Sequence, residues 1–230
     1  ASKTTFKKPT RLECMMQDLP KLLDAKAKVG FTEFERWMCF SAVKNSIQGG
    51  AEKQRKTGFA ESASTGEADI YRYYRRALNE INVRVQVDSG VTKEWTPGIK
   101  TPVDAAKIVI VPCGSAFNMT SMRNRFRHPR NVSITNRSTL ILRGDVIVEK
   151  LDLDGALIVT AEPGVRVRIK NLIVKNQGIV PKQIQAGDTN QPESLRIRGY
   201  EMKQIFVEHH VYRKGDGDSK TGEVLIDQKK

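Results

Sequence analysis

The segment at residues 132–174, VSITNRSTLILRGDVIVEKLDLDGALIVTAEPGVRVRIKNLIV, decides the expected fold. Short strand-like stretches alternate with Gly, Asp or Asn along it. Counting by sixes places an aliphatic side chain at successive positions, namely Ile141, Ile147, Leu153, Val159 and Val165. The register breaks at Asn171.

A six-residue period with aliphatic anchors is typical of a parallel β-helix in which each coil has three short faces. Each face is one strand, each corner is a tight turn, and one aliphatic side chain per face fills the interior. We predict such a coil here, of about two turns, with a plain antiparallel sheet as the alternative.

The composition is that of a folded and strongly basic protein. Of the 230 residues, 39% are hydrophobic and 28% are charged, which supports a packed core rather than wholesale disorder. No run of about 18 apolar residues occurs, so no membrane span is predicted. The first residues, ASKTTFKK, contain no apolar signal-peptide core, and we expect a cytoplasmic location.

The formal net charge is +13 and the isoelectric point is near 9.8. This excess favours polyanionic partners, either nucleic acid or nucleotides and sugar phosphates. It also fits one piece of a larger protein whose other piece is more acidic. The three cysteines form no CxxC pair and the three histidines lack ligand spacing, so no metal site is predicted within this chain.

Upstream of the six-residue repeat, the pattern predicts an α/β arrangement. Residues 64–81 carry apolar side chains at helical spacing, with Ser64 or Thr65 as the N-cap. Residues 83–90 and 106–114 are typical of strands.

Two further features of this region are a polar stretch and a group of aromatic residues. Residues 48–66 are rich in Gly, Ser and Lys and predict a loop. A spacing of three predicts a buried helical face for four aromatic residues, Phe31, Phe34, Trp37 and Phe40.

Two arginine clusters carry alternatives that the sequence leaves open. Arg72, Arg75 and Arg76 lie off the apolar stripe of the predicted helix and are either solvated or face an anion. In residues 123–130, four arginines surround Phe126, namely Arg123, Arg125, Arg127 and Arg130. They form either a nucleic-acid-binding module or a basic surface loop, and the proline at position 129 favours the loop.

A cationic stretch directly precedes an apolar one in FKKPTRLECMMQDLP, residues 6–20. A basic cluster at a loop-to-helix junction can hold a phosphate, and it can equally be a solvated loop. The remaining motifs of the chain bear on this choice.

Several motifs together resemble the C-terminal portion of the UDP-sugar pyrophosphorylase family. They occur in one order as KKPTRLECMMQDLPK, VGFTEFERWMCFSAVKN, SASTGEADIYR, RSTLILRG, VEKLDLDGALIV and LRIRGYEMKQI. The resemblance is weak over residues 85–125. Lys8 stands where the family usually has arginine, which keeps the charge but loses the two-point geometry.

The resemblance implies an α/β fold: the C-terminal part of a Rossmann-like nucleotidyltransferase domain in residues 1–125, then a short left-handed parallel β-helix domain in residues 126–230. It implies a UTP-monosaccharide-1-phosphate uridylyltransferase, which makes UDP-sugars and pyrophosphate from UTP and sugar 1-phosphates with Mg²⁺. By the same resemblance Lys7 is the catalytic lysine at the substrate phosphates, with Lys8 and Arg11 as supporting phosphate-binding cations.

The family's Gly-rich nucleotide loop is absent from this sequence. QGGAEKQRKTG, residues 48–58, has glycines and cations but neither a preceding parallel strand nor the spacing. The resemblance therefore implies that the uridine pocket and the main Mg²⁺-binding carboxylate lie upstream. We expect the chain to be an inactive fragment whose partner is the N-terminal half of the same enzyme.

Overall fold

The computed structural model describes residues 16–112, 118–185, 187–218 and 221–228. The chain divides into two units, residues 1–35 and residues 36–230. In the described part of the first unit, a 3-10 helix spans Met16–Leu22 and buries none of its side chains.

The helices of the second unit precede or interrupt its strands. They are α1 Arg36–Cys39, α2 Ile47–Thr57, α3 Ala63–Glu80, α4 Met119–Arg125 and α5 Glu193–Arg198, with a 3-10 turn at Pro129–Asn131. The strands before residue 150 are β1 Arg84–Val85, β2 Thr92–Thr96, β3 Ile99–Pro102, β4 Lys107–Val111, β5 Val132–Ile134, β6 Thr139–Arg143 and β7 Asp145–Val148. Those after it are β8 Leu151–Asp154, β9 Ala156–Ala161, β10 Arg166–Lys175, β11 Gly178–Gln183, β12 Tyr200–Phe206, β13 Glu208–Tyr212 and β14 Glu223–Asp227.

Parallel pairing dominates, and the chain visits three faces in a repeated order. Within the described residues, the first face holds β1, β5, β8 and the second half of β10. The second face holds β4, β6, β9 and β13. The third face holds β7, the first half of β10 and β14. The predicted α/β class with parallel strands is confirmed, and the antiparallel alternative is wrong for this segment.

The six-residue spacing corresponds to the step from one face to the next. Ile141 lies in β6, Ile147 in β7, Leu153 in β8 and Val159 in β9, while Val165 directly precedes β10. The stack extends beyond the repeat, because β1 and β4 join it from upstream and β13 and β14 from downstream. Strands on both sides of the predicted domain boundary at residues 125 and 126 therefore pair with each other.

The counted positions do not all face the interior. Leu142 is fully buried, whereas the neighbouring Ile141 is only half-buried. Side chains alternate between the two sides of a strand, so a count that slips by one residue selects the outer side. The register slips because coils differ in length: Leu142 pairs with Val159, but Val146 pairs with Val167.

The predicted loop at residues 48–66 is wrong over most of its length, because α2 occupies Ile47–Thr57. Ser46 caps this helix by accepting a hydrogen bond from the backbone N–H of Gly49 at 3.2 Å. Gly58 ends it at φ 79°, a left-handed conformation that favours glycine. The Gly and Lys content suggested a loop, but both ends of the segment carry strong helix signals.

The predicted helix at residues 64–81 is confirmed as α3, with one correction at its start. The N-cap is Ser62, whose backbone N–H donates to the Thr65 hydroxyl at 3.0 Å in a capping box. Ala77 and Leu78 are fully buried in the core that includes β4. The Tyr74 hydroxyl donates to the Ile110 carbonyl at 2.7 Å and ties the helix to that strand.

The aromatic residues at positions 31–40 do not form the buried face that their spacing predicted. Phe31 is 93% exposed, and Phe34 and Phe40 are also exposed, while Trp37 is half-buried. Helical structure covers only Arg36–Cys39, so a spacing of three does not place these rings on one helical face.

Candidate functional site

The carboxylate of Glu61 is the centre of a basic cluster between α2 and α3. Its side chain is only 7% exposed and lies 2.6 Å from the Lys53 ammonium. The Arg36 guanidinium donates to Oε1 at 3.1 Å, and the Lys44 ammonium lies 3.7 Å from Oε2. Three cations thus surround one carboxylate and leave an excess of positive charge at this surface.

The backbone at Glu61 is held in a conformation that non-glycine residues rarely adopt. Its φ is 50°, and its carbonyl accepts hydrogen bonds from the backbone N–H groups of Lys44 and Asn45 at 3.0 and 3.1 Å. The Asn45 amide also donates to the Ala60 carbonyl at 2.8 Å. These bonds fix the backbone at Glu61, so that its carboxylate faces the three cations.

The cations keep Glu61 ionised. The close Lys53 ammonium lowers the pKa of Glu61 most, burial works against it, and the Arg36 hydrogen bond adds to the lowering. The pKa of Glu61 therefore lies below its ordinary value. Removing this carboxylate would leave three like charges together.

A small polar cavity opens beside this cluster, between α2, the start of α3 and β3. It is lined by Arg36, Gln54, Glu61, Arg72 and Lys100 among others. Gln54 fixes one wall, because its side chain exchanges two hydrogen bonds with the backbone of Lys100, at 2.9 and 2.8 Å.

Two aromatic rings hold the Arg36 side chain in place. Its guanidinium lies 4.7 Å from the Phe40 ring centre and 4.4 Å from the Phe59 ring centre. The arrangement can attract a small anion. The described lining residues include no nucleophile paired with a base.

The site residues predicted from the resemblance, Lys7, Lys8 and Arg11, lie outside the described residues. Their roles stay predictions. The Glu61 cluster was not foreseen, because its cations come from three separate segments and single charged residues carry no such signal.

The arginines of α3 serve mainly the fold. Arg75 is largely buried and donates to the Ala106 carbonyl at 3.0 Å, and burial lowers the pKa of its guanidinium. Arg72 pairs with Asp69 at 3.3 Å. Arg76 lies over the Trp37 ring at 5.3 Å. The anion-facing alternative stays open, because all three arginines line a second cavity together with Asp88, and Arg72 also lines the cavity beside Glu61.

A second carboxylate, Glu67, is bound by the end of α5. The Arg198 guanidinium donates from Nε to Oε2 at 2.6 Å and from Nη2 to Oε1. The Tyr71 and Tyr200 hydroxyls donate to the same carboxylate at 2.6 and 2.9 Å. Burial alone raises the pKa of Glu67, but these donors bring it below its ordinary value. Every oxygen is satisfied, so the network joins elements and is not an open site.

The arginines at 123–130 do not frame an aromatic platform. Phe126 is 1% exposed and pairs with Val148 as an isolated parallel bridge, so its ring cannot stack on a base. The nucleic-acid reading that relied on this ring is therefore unsupported.

Among the described residues, no group of three His, Cys, Asp or Glu side chains converges on one point. None of the described helices is long and apolar enough to cross a membrane.

The fold and the Glu61 cluster define an α/β protein with a stack of parallel strands and a basic surface that can attract a small anion. The chain is similar to the UDP-sugar pyrophosphorylase of Arabidopsis thaliana, at 34% identity over 206 residues, which are 89% of this chain and 32% of the relative. The relatives of that name in Oryza sativa, subspecies indica and japonica, are each 31% identical over 211 residues, with the same coverage.

These comparisons confirm the resemblance that the motifs indicated. The chain is a homologue of UDP-sugar pyrophosphorylases over 89% of its length, and it spans about a third of the length of these curated relatives. No protein-family model matches the chain.

Proposed function

We propose that the chain is part of a uridylyltransferase that makes UDP-sugars and pyrophosphate from UTP and sugar 1-phosphates. The observation that carries the proposal is the 34% identity, over 89% of this chain, to a protein named UDP-sugar pyrophosphorylase. The basic surfaces of the described residues agree with substrates that carry phosphates.

The proposed reaction is an in-line displacement at the α-phosphorus of UTP. An oxygen of the sugar 1-phosphate forms a bond to this phosphorus, while the bond to the bridging oxygen of pyrophosphate breaks. Such a step needs cations around the oxygens on which charge accumulates. We assign this role to Lys7, with Lys8 and Arg11 as supporting cations.

We further propose that Mg²⁺ is held by residues upstream of this chain. The described residues offer no convergent set of ligands, so no step of the reaction is assigned to a metal bound by them. The proposed partner is the N-terminal half of the same enzyme.

An unusually exposed apolar segment supports that partner. In the described part of the first unit, Met16 and Phe31 are both 93% exposed and Leu22 is 84% exposed. Further exposed apolar side chains of this unit are Leu19, Leu23, Val29 and Phe34. Apolar surface on this scale marks an interaction site, and the relatives contain about twice as much further polypeptide that could cover it.

The finer features of the fold belong to the same proposal. We infer that the stacked parallel strands form a left-handed β-helix, that residues 126–230 make up most of it, and that β1 and β4 join it from upstream. The repeated order of the three faces supports the coil. The cytoplasmic location likewise stays a prediction from the sequence.

The test is an assay of Mg²⁺-dependent pyrophosphate release from UTP with glucose 1-phosphate or galactose 1-phosphate. It compares this chain alone with the chain joined to the proposed N-terminal partner segment. We expect activity only in the joined protein. Activity in neither form would refute the uridylyltransferase assignment, and activity in the chain alone would refute the fragment proposal.

A further inference from the structure

A groove lined by arginines lies where α4 meets the outer side of β7. Its lining includes four guanidinium groups but a single carboxylate, in the set Arg123, Arg125, Arg127, Arg166, Asp145 and Ile147. Ile147 forms an apolar floor, since it is almost fully buried. This groove shares no residue with the cavity beside Glu61.

Two of the four arginines build the walls of the groove. Arg125 donates from Nη1 to the Gly144 carbonyl at 2.8 Å and so ties α4 to the turn before β7. Arg166 donates from Nε to the Asp145 carboxylate at 2.8 Å, which fixes its position on β10. These contacts hold both guanidinium groups in defined places.

The other two arginines are exposed and available. Within the residues that the structure describes, no acidic side chain forms an ion pair with Arg123 or Arg127. Their backbone is nevertheless anchored, because Met122 and Phe126 are buried in the core beside them. The Arg127 backbone N–H also donates to the Val148 carbonyl at 3.2 Å. The groove therefore presents two exposed guanidinium groups on a segment whose backbone is held by the core.

We propose that this arginine groove binds a small anion that carries phosphate, with Arg123 and Arg127 as its principal ligands. Guanidinium forks match phosphate oxygens in two-point hydrogen bonds, which ammonium groups cannot form. A small anion fits better than nucleic acid, because the aromatic ring of this region, Phe126, is buried and cannot stack on bases. This inference goes beyond the proposed function and does not depend on it.

Isothermal titration calorimetry of the complete chain with inorganic pyrophosphate at low ionic strength tests the proposal. We expect binding that the double variant Arg123→Ala/Arg127→Ala weakens by about tenfold or more. Arg130→Ala is the matched control, since Arg130 is exposed in the same stretch but lies outside the groove. This variant should bind pyrophosphate as tightly as the unaltered chain does. Arg127→Lys should bind with intermediate affinity, because it keeps the charge and loses the fork.

A variant with Lys7, Lys8 and Arg11 all changed to Ala separates this groove from the proposed substrate site. It should keep the groove's affinity for pyrophosphate. Unchanged affinity in the Arg123→Ala/Arg127→Ala variant, with thermal unfolding like that of the unaltered chain, would overturn the proposal. Binding of a single-stranded RNA oligonucleotide through these arginines, without binding of pyrophosphate, would overturn the assignment to a small anion.

Discussion

The carboxylate of Glu67 and the guanidinium of Arg198 form a two-point ion pair across 131 residues of sequence. Glu67 lies in the second turn of α3, and Arg198 is the last residue of α5. The Arg198 guanidinium also lies 4.3 Å from the ring centre of Tyr200, whose hydroxyl donates to Glu67. This ion pair joins α5, in the segment between β11 and β12, to α3.

Replacing Arg198 by Lys should destabilise the fold. One ammonium cannot donate to both carboxylate oxygens, and the pair is largely shielded from water, so we expect the free energy of unfolding to fall by about 1–3 kcal/mol. Urea denaturation measures the change. Arg213→Lys is the control, because its pair with Glu162 is mostly exposed at 3.6 Å and should contribute less than about 0.5 kcal/mol. Equal losses in both variants would contradict the special role of Arg198.

The Glu67 network should also make the free energy of unfolding depend on pH in the acid range. The pKa of Glu67 is below the ordinary 4.5 in the folded chain, so the unfolded chain binds more protons on acidification. The stabilisation is fully present above about pH 4.5 and is lost as the pH falls through the folded-state pKa. Unfolding curves of the unaltered chain and Glu67→Gln should therefore differ by a constant amount near neutral pH and converge in acid. A difference that grows on acidification would contradict the assigned direction.

Gly144 should be far less tolerant of a side chain than Gly164. Both have left-handed φ values, 85° and 90°, so Ala adds a backbone cost of about 1 kcal/mol at either position. At Gly144, a Cβ would also lie 2.0 Å from the Ala161 carbonyl oxygen, whereas at Gly164 it would meet nothing within 4 Å. We expect Gly144→Ala to lower the free energy of unfolding by at least about 2 kcal/mol more than Gly164→Ala. Chemical denaturation of the two variants side by side provides the comparison.

In β6, the loss in free energy of unfolding on truncation to Ala should depend on which side of the strand the side chain occupies. Its position in the six-residue count should not decide it. Leu142→Ala removes a fully buried side chain from the coil interior and should cost about 3 kcal/mol. Ile141→Ala, at the counted position, removes a half-buried one and should cost about 1 kcal/mol. Unfolding in urea measures both. A larger loss for Ile141 would reverse the assignment of the interior face.

Lys7→Ala in the complete enzyme should lower kcat at least about a hundredfold without changing its thermal unfolding, since the proposed cation acts on charge that develops in the transition state. Pyrophosphate release measures the rate. Lys28→Ala is a suitable control, because Lys28 is exposed in the same unit and has no proposed role. Turnover like that of the unaltered enzyme would refute the assignment of Lys7, although the uridylyltransferase proposal itself would stand.

Elements with strong local signals could be predicted from the sequence. The α3 helix follows from its apolar stripe, and β4 and the strands at 132–174 follow from their aliphatic runs and turn residues. The α2 helix was missed, because its glycines and lysines suggested a loop, while Ser46 and Gly58 were not weighed as its ends. The Glu61 cluster could not be predicted, because Arg36, Lys44 and Lys53 converge only through the positive-φ turn at Glu61.

The sequence by itself determined the α/β class, the succession of short strands and the resemblance to UDP-sugar pyrophosphorylases, because periodicity and ordered motifs are local properties of the chain. Only the tertiary structure decided which side of each strand is buried, that Phe126 is a core residue, and that Glu67 binds Arg198. Coils of unequal length shift the register, and partners distant in sequence meet only when the coils stack. For that reason, the contact between Glu67 and Arg198, 131 residues apart, could not be predicted from a local sequence pattern.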